Sequence, residues 1–204
     1  MHQKITQTDE KERRRADSQM TASNQIRFER PEGSQQAGFS LIELLVVVAI
    51  ILIIAAIAIP NFLRSRMSAN EASAAENVRT ITTASVVYST TWNNGYPPNL
   101  ATLGGPAPPP SCNQAILIDD NLANAPSQQS GYTFAYTGMG GNVNPPVNCG
   151  APGFVGYLVS ATPIKVGMTG QRSFCSNEPG VIHYDITGSP ITTQPGCEAL
   201  PILQ

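Results

Sequence analysis

Few side chains in this sequence combine types and spacings that could do chemistry. Four cysteines, Cys112, Cys149, Cys175 and Cys197, stand at intervals of 37, 26 and 22 residues. They form no CxxC pair, and His183 is the single histidine in the same part of the chain, so a zinc or thiol-redox centre is poorly supported. Two disulfides in an oxidising compartment fit better. His183 lies between Ile182 and Tyr184 in a strand-like run, where a histidine serves structure or surface more often than catalysis. Asp119, Asp120 and Asp185 could offer oxygens to calcium, yet no oxygen-rich loop of fixed spacing accompanies them. The glycine-rich GMGGN at 138–142 is not followed by a helix start and reads as a loop, not a phosphate cradle. No nucleophile stands with a base, so neither catalysis nor a cofactor is expected. The group that most needs explaining is Glu43, a carboxylate near the start of FSLIELLVVVAIILIIAAIAI, residues 39–59.

That apolar run has 21 residues, which as a helix spans about 30 Å and covers a bilayer core. A plain anchor or a cleaved secretory signal are the simplest explanations. A secretory signal, however, places its small-residue cleavage site after the apolar region. Here the small-residue junction, Ala37-Gly38, comes before it. Glu43 is also a liability in a plain anchor, because an ionisable group in a membrane segment is costly and is usually kept for a partner. A cut between Gly38 and Phe39 would supply one. The new α-amino group of Phe39 is cationic near neutral pH, and a helix bundle could set it beside Glu43 of an adjacent subunit. Such a pair gains in low dielectric, loses to desolvation, and contributes mainly register.

These residues, GFSLIELLVVVAIILIIAAIAIP from Gly38 to Pro60, resemble the N-terminus of type IV pilins and of the related pseudopilins of type II secretion. On that resemblance, Gly38 precedes the prepilin peptidase cut, Phe39 is the first mature residue and is N-methylated, Glu43 is the assembly glutamate and Pro60 kinks the helix. It implies an α+β fold in which a long N-terminal helix packs on a small antiparallel sheet. It also implies self-assembly into a helical homopolymer, driven by an inner-membrane platform and ATPase. The leader departs from the pattern: residues 1–38 are long for the family and carry seven basic against six acidic residues. Either Met1 or Met20 can start it, and Arg27 and Arg30 precede the helix in both cases, which favours a cytoplasmic N-terminus. The leader has little hydrophobic clustering and reads as disordered.

Residues 39–204 hold five basic and eight acidic residues, so no basic face for nucleic acid is expected. Pro60 predicts a kink or a local melt. The helix is expected to resume, since Asn61–Trp92 contains neither Gly nor Pro, with Ala69, Ala72, Val78, Ile81, Ala84 and Tyr88 on one face. Arg64, Glu71, Glu76 and Arg79 fall on the other face and read as solvated or, less readily, as intersubunit ion pairs. NNGYPP at 93–98 ends the helix, between about Tyr88 and Asn93.

Beyond it, 93–131 reads as a loop with a short helix around Ala115–Ala123. A sheet of three or four strands follows over 132–187, drawn from 132–137, 154–163, 172–176 and 180–186, with SNEPG as a hairpin. A tail of 188–204 closes the chain. Of the three possible disulfide pairings, Cys112–Cys149 and Cys175–Cys197 are preferred. The function expected is a pilus subunit, anchored by one helix in the inner membrane and then built into an extracellular filament. A type II secretion pseudopilin is the close alternative, and an uncleaved, membrane-anchored periplasmic binding module the distant one.

Overall fold

The computed structural model describes residues 38–106, 108–145 and 149–204. The leader up to residue 37 lies outside the described residues. The chain divides into two units, the first ending at Ala49 and the second running over Ile50–Gln204. One helix, α1, covers Leu41–Trp92. Ser40 opens it, its carbonyl accepting from the N–H groups of Glu43 and Leu44. Asn93 and Gly95 close it with positive φ angles of 49° and 68°, the left-handed turn that stops helices. The helix continues through Pro60, so the melt does not occur: one missing N–H is tolerated where both flanks are strong helix formers.

In the second unit the buried face of α1 runs through Glu71, Ala74, Ala75, Val78, Ile81, Ala84, Ser85 and Tyr88. This rotates the expected stripe. Ala69 and Ala72 are exposed and Glu71 is buried. The reason is electrostatic and local. Glu71 Oε1 accepts from the backbone N–H groups of Gln171 and Arg172 at 2.8 and 3.2 Å, and Oε2 receives the Arg172 guanidinium at 2.8 Å. A carboxylate so fully bonded can sit in the interface, whereas the small alanines had no partner to cover them.

After α1 come two one-turn helices, α2 (Leu100–Leu103) and α3 (Asp120–Ala123). The helix expected over 115–123 is confined to its end. Residues 115–118 instead lie along α2, with the N–H groups of Ala115 and Leu117 bonding the carbonyls of Thr102 and Leu103. Ile116 there has a φ of 54°, outside any helix. Five strands follow in sequential order, each pair antiparallel: β1 (Gln128–Gln129), β2 (Tyr132–Asn142), β3 (Phe154–Pro163), β4 (Ser173–Asn177) and β5 (Ile182–Asp185). β2 absorbs GMGGN, which was expected to be a loop. Gly138 allows this because a Cβ there would meet the Phe154 ring, and Gly140, at φ 77°, takes up the irregularity in register before Asn142.

β3 is buried without interruption from Gly156 to Ala161, which its continuous apolar sequence anticipates for a strand covered on both faces. Tyr157, Val159 and Ala161 pack with Val78, Ile81 and Tyr88 of α1. Leu158 points the other way, onto Ile191 and the Cys175–Cys197 bridge. That bridge anchors a last helix, α4 (Gln194–Glu198). Pro201–Leu203 then runs beside β5, with Tyr184 N–H bonding Pro201 O and Leu203 N–H bonding Ile182 O. The tail therefore covers a strand edge that would otherwise be open to pairing.

Between α1 and the sheet lies a polar seam. Tyr157 is stacked on Tyr136 at 5.6 Å and tilted against Tyr96 at 4.8 Å. The Tyr157 hydroxyl faces those of Thr82 and Ser176, and the Tyr136 hydroxyl faces Ser85, although the Tyr136, Tyr157, Thr82 and Ser176 oxygens do not reach hydrogen-bond geometry. Burial first, and then Tyr96 and Glu178, push the Tyr157 phenol up from 10.0 to about 12.

Two outcomes are expected. Glu71→Ala strips the partners from Arg172 and two backbone N–H groups. Because Arg172 stays 38% exposed, water recovers part of its solvation, so the loss is about 2–3 kcal/mol, below the ~3–5 of a wholly buried pair. Urea unfolding followed through Trp92 fluorescence measures it, and Glu71→Gln, which keeps acceptors for the N–H groups, should lose less than half as much. The second concerns alkali. A folded-state phenol raised above its unfolded value holds its stabilising contribution intact below about pH 10 and loses it as pH rises through about 12. The urea midpoint should fall over that range, tyrosinate absorbance should rise with unfolding, and Tyr157→Phe should flatten the slope.

Candidate functional site

The residues singled out for processing stand together at the start of α1. Gly38, Phe39 and Ser40 precede the helix in non-helical backbone and are exposed, Phe39 by 83%. A Cβ built on Gly38 meets nothing within 4 Å. No packing in the described chain requires glycine there. Glu43 lies in the first helical turn, where the unsatisfied N–H groups and the helix dipole favour a carboxylate. It stands four residues from Phe39, about one turn, and is exposed. An α-amino group created at Phe39 would add its charge to this same helix end.

The surface behind these residues is apolar on all sides. From Leu41 to Ile59 every large aliphatic side chain is exposed, and the helix is long and apolar enough to cross a membrane. The arrangement presents an exposed peptide junction with a carboxylate one turn away, at the head of an apolar surface that the described chain leaves uncovered. Glu76 and Arg79 pair on the exposed face at 2.8 Å, both more than half exposed, a contact worth about 0.3–0.5 kcal/mol.

The other candidates are spent on structure. Cys112 is joined to Cys149 and Cys175 to Cys197; the first bridge closes 37 residues and the second 22, each worth roughly 3–4 kcal/mol on chain entropy. His183 is buried in β5, its Nδ1 donating to Leu200 O at 2.7 Å. Asp119 caps α3 by accepting from Asn121 and Leu122, Asp120 follows it in the first turn, and Asp185 accepts from the N–H and hydroxyl of Thr187, which hold it below its usual range. Among the described residues no three His, Cys, Asp or Glu side chains converge as metal ligands. The cleft formed by Arg172, Tyr184 and the tail has its charge engaged, since Arg172 bonds Glu71 and lies 5.7 and 5.5 Å from the Phe174 and Tyr184 rings.

Sequence reasoning missed Glu71 and Asn94. Asn94 bonds Tyr88, Ala151 and Gly153 and locks the exit of α1. The signal for Glu71 existed in the spacing, since 71, 74, 75, 78, 81, 85 and 88 form one stripe, but its charge hid it. No curated protein and no solved structure matches the chain. Residues 33–59 match the family model of the prokaryotic N-terminal methylation motif. With a sterically open Gly38-Phe39 junction, a carboxylate in the first turn and an unburied apolar helix, the chain carries the signature of type IV pilins and pseudopilins.

Proposed function

We propose that this protein is a structural subunit of a type IV pilus, cut between Gly38 and Phe39, N-methylated on Phe39 and polymerised from the inner membrane into an extracellular filament. The observation that carries the reading is the methylation motif matched over residues 33–59, whose part from Leu41 onward lies on a helix with no cover of its own. In the membrane, lipid covers the first part of α1; in the filament, the helices of other copies do. The apolar surface stays out of water in both states, so the transfer between them proceeds without a large solvation cost. Glu43 pairs with the Phe39 ammonium group of a neighbour and sets the step between copies. The protein performs no catalysis, and its processing and assembly fall to a prepilin peptidase and methylase and to an ATP-driven platform.

A pilus is favoured over a secretion pseudopilin by the second unit. Its loops are rich in proline and glycine, and two disulfides fix them, a construction suited to exposure outside the cell.

Intact-mass analysis of sheared surface material is expected to find a chain starting at Phe39, heavier by one CH2 and lighter by four hydrogens. A chain that keeps its leader and stays in membranes would overturn the reading and favour an anchored binding module. Glu43→Ala is expected to be cleaved normally yet to leave the sheared fraction empty of filaments. Normal filaments from that variant would remove the assembly role.

A further inference from the structure

The second unit has one end at which apolar and basic side chains collect. β3 begins beside the exit of α1, where Phe154 bonds Tyr96, and finishes at Pro163, opposite Tyr132 and next to Gly131, which lies against Asn70 of α1. The turn that follows therefore lies at the end of the sheet nearest the apolar part of the helix. Asn70 of α1 fixes it, donating to Thr169 O at 2.8 Å. Inside the turn, Lys165 O accepts from the N–H groups of Met168 and Thr169, and Gly167, at φ 78°, reverses the chain and bonds Gly170 O. This ordered turn displays Ile164, Val166 and Met168, with Ile186 beside them through the Gln171 contact. All four are about half exposed or more.

Apolar side chains of α1 continue exposed through Phe62 and Leu63. From Leu63 to Asn70 the helix rises about 10 Å, against a headgroup layer of roughly 5–8 Å outside the hydrocarbon core. The turn is tied to α1 at Asn70, within a few ångströms of the outer limit of that layer. Arg64 and Arg66 lie between, exposed, and Lys165 is in the turn itself; none of the three has a carboxylate partner among the described residues. Two carboxylates share this end: Glu71, neutralised by Arg172, and Asp185, held by Thr187. The balance is basic, in a mature chain that is acidic overall.

We propose that this turn is a membrane foot: before assembly, Val166 and Met168 enter the headgroup layer of the bilayer that holds α1, while Arg64, Arg66 and Lys165 bind anionic headgroups. Apolar tips ringed by cations are the composition that anionic interfaces select. Docking would fix the second unit against the membrane, and withdrawal into a filament would release the turn.

The proposal rests on anchoring of α1 in a bilayer, and the test separates the two. The full chain carrying Met168→Cys, labelled with an environment-sensitive fluorophore, is reconstituted in vesicles of phosphatidylethanolamine and phosphatidylglycerol and floated. Thr91→Cys, exposed at the far end of α1, is the control. The Met168 probe should shift to the blue and be quenched by headgroup-level nitroxide lipid, with the Thr91 probe unchanged. Lys165→Gln should lower the ratio of docked to free turn about fivefold, the value of one basic residue at an anionic surface. Chains that float with both probes equally water-exposed would overturn the foot and leave the anchor intact. Shielding of Met168 only in filaments would assign the patch to a neighbouring copy and overturn it as well. Chains that do not float would overturn the anchor and the foot together.

Discussion

Fourteen large aliphatic side chains between Leu41 and Ile59 are exposed on α1, and no part of the described chain covers them. Burying a side chain of this size is worth about 1.5–3 kcal/mol, so leaving the set in water would cost on the order of 20 kcal/mol or more. A whole domain is stable by only about 5–15 kcal/mol. The helix therefore needs a second environment, and the rest of the molecule is arranged so that it can have one without unfolding. The packed core begins well beyond the apolar segment, at Glu71.

Glu71 marks where the helix changes character. Up to Ile59 the surface is apolar on all sides, from Asn61 to Asn70 it is mixed and mostly exposed, and from Glu71 onward one stripe is buried. A carboxylate at that boundary could have been an error in the pattern, but two backbone N–H groups and a guanidinium make it the fastening between helix and sheet. The sheet behind is small, and its strength comes from being covered on both faces, by α1 on one and by the bridged tail on the other. The tail closes one strand edge with main-chain bonds, removing an open edge that would invite pairing between copies.

Much of this could be read from the chain. The apolar run, its early carboxylate and the junction before it appear in linear order, because they depend on local sequence. β3 was found to the residue, since a continuous apolar strand bounded by glycine and proline has few other readings. What was hidden depended on partners distant in sequence. Residues 115–118 have the composition of a helix turn, but hydrogen bonds to α2, with Ile116 in the left-handed region, hold them out of a helix. GMGGN looked like a loop because glycine usually breaks strands, whereas here Gly138 is the space into which Phe154 fits. Ala69 and Ala72 fitted the helical period as well as the true stripe did, and only the position of Arg172 a hundred residues later decides between them.

The placement of Glu43 follows the same logic at the level of the proposed assembly. A charged side chain inside a bilayer costs about 2.5–3.5 kcal/mol even by the milder scales, and an aliphatic residue at this position would cost nothing. Stability therefore does not explain the carboxylate. In the first turn of α1 the helix end offsets part of the cost, which under the proposed assembly would let a subunit wait in the membrane with the charge unpaired. In the proposed filament, a cationic Phe39 terminus beside it would remove most of the remainder, while a copy displaced by one turn would leave two buried charges alone. The pair thus separates the correct step from incorrect ones by more than it strengthens the correct step. That property suits a polymer that must add each copy in the same register.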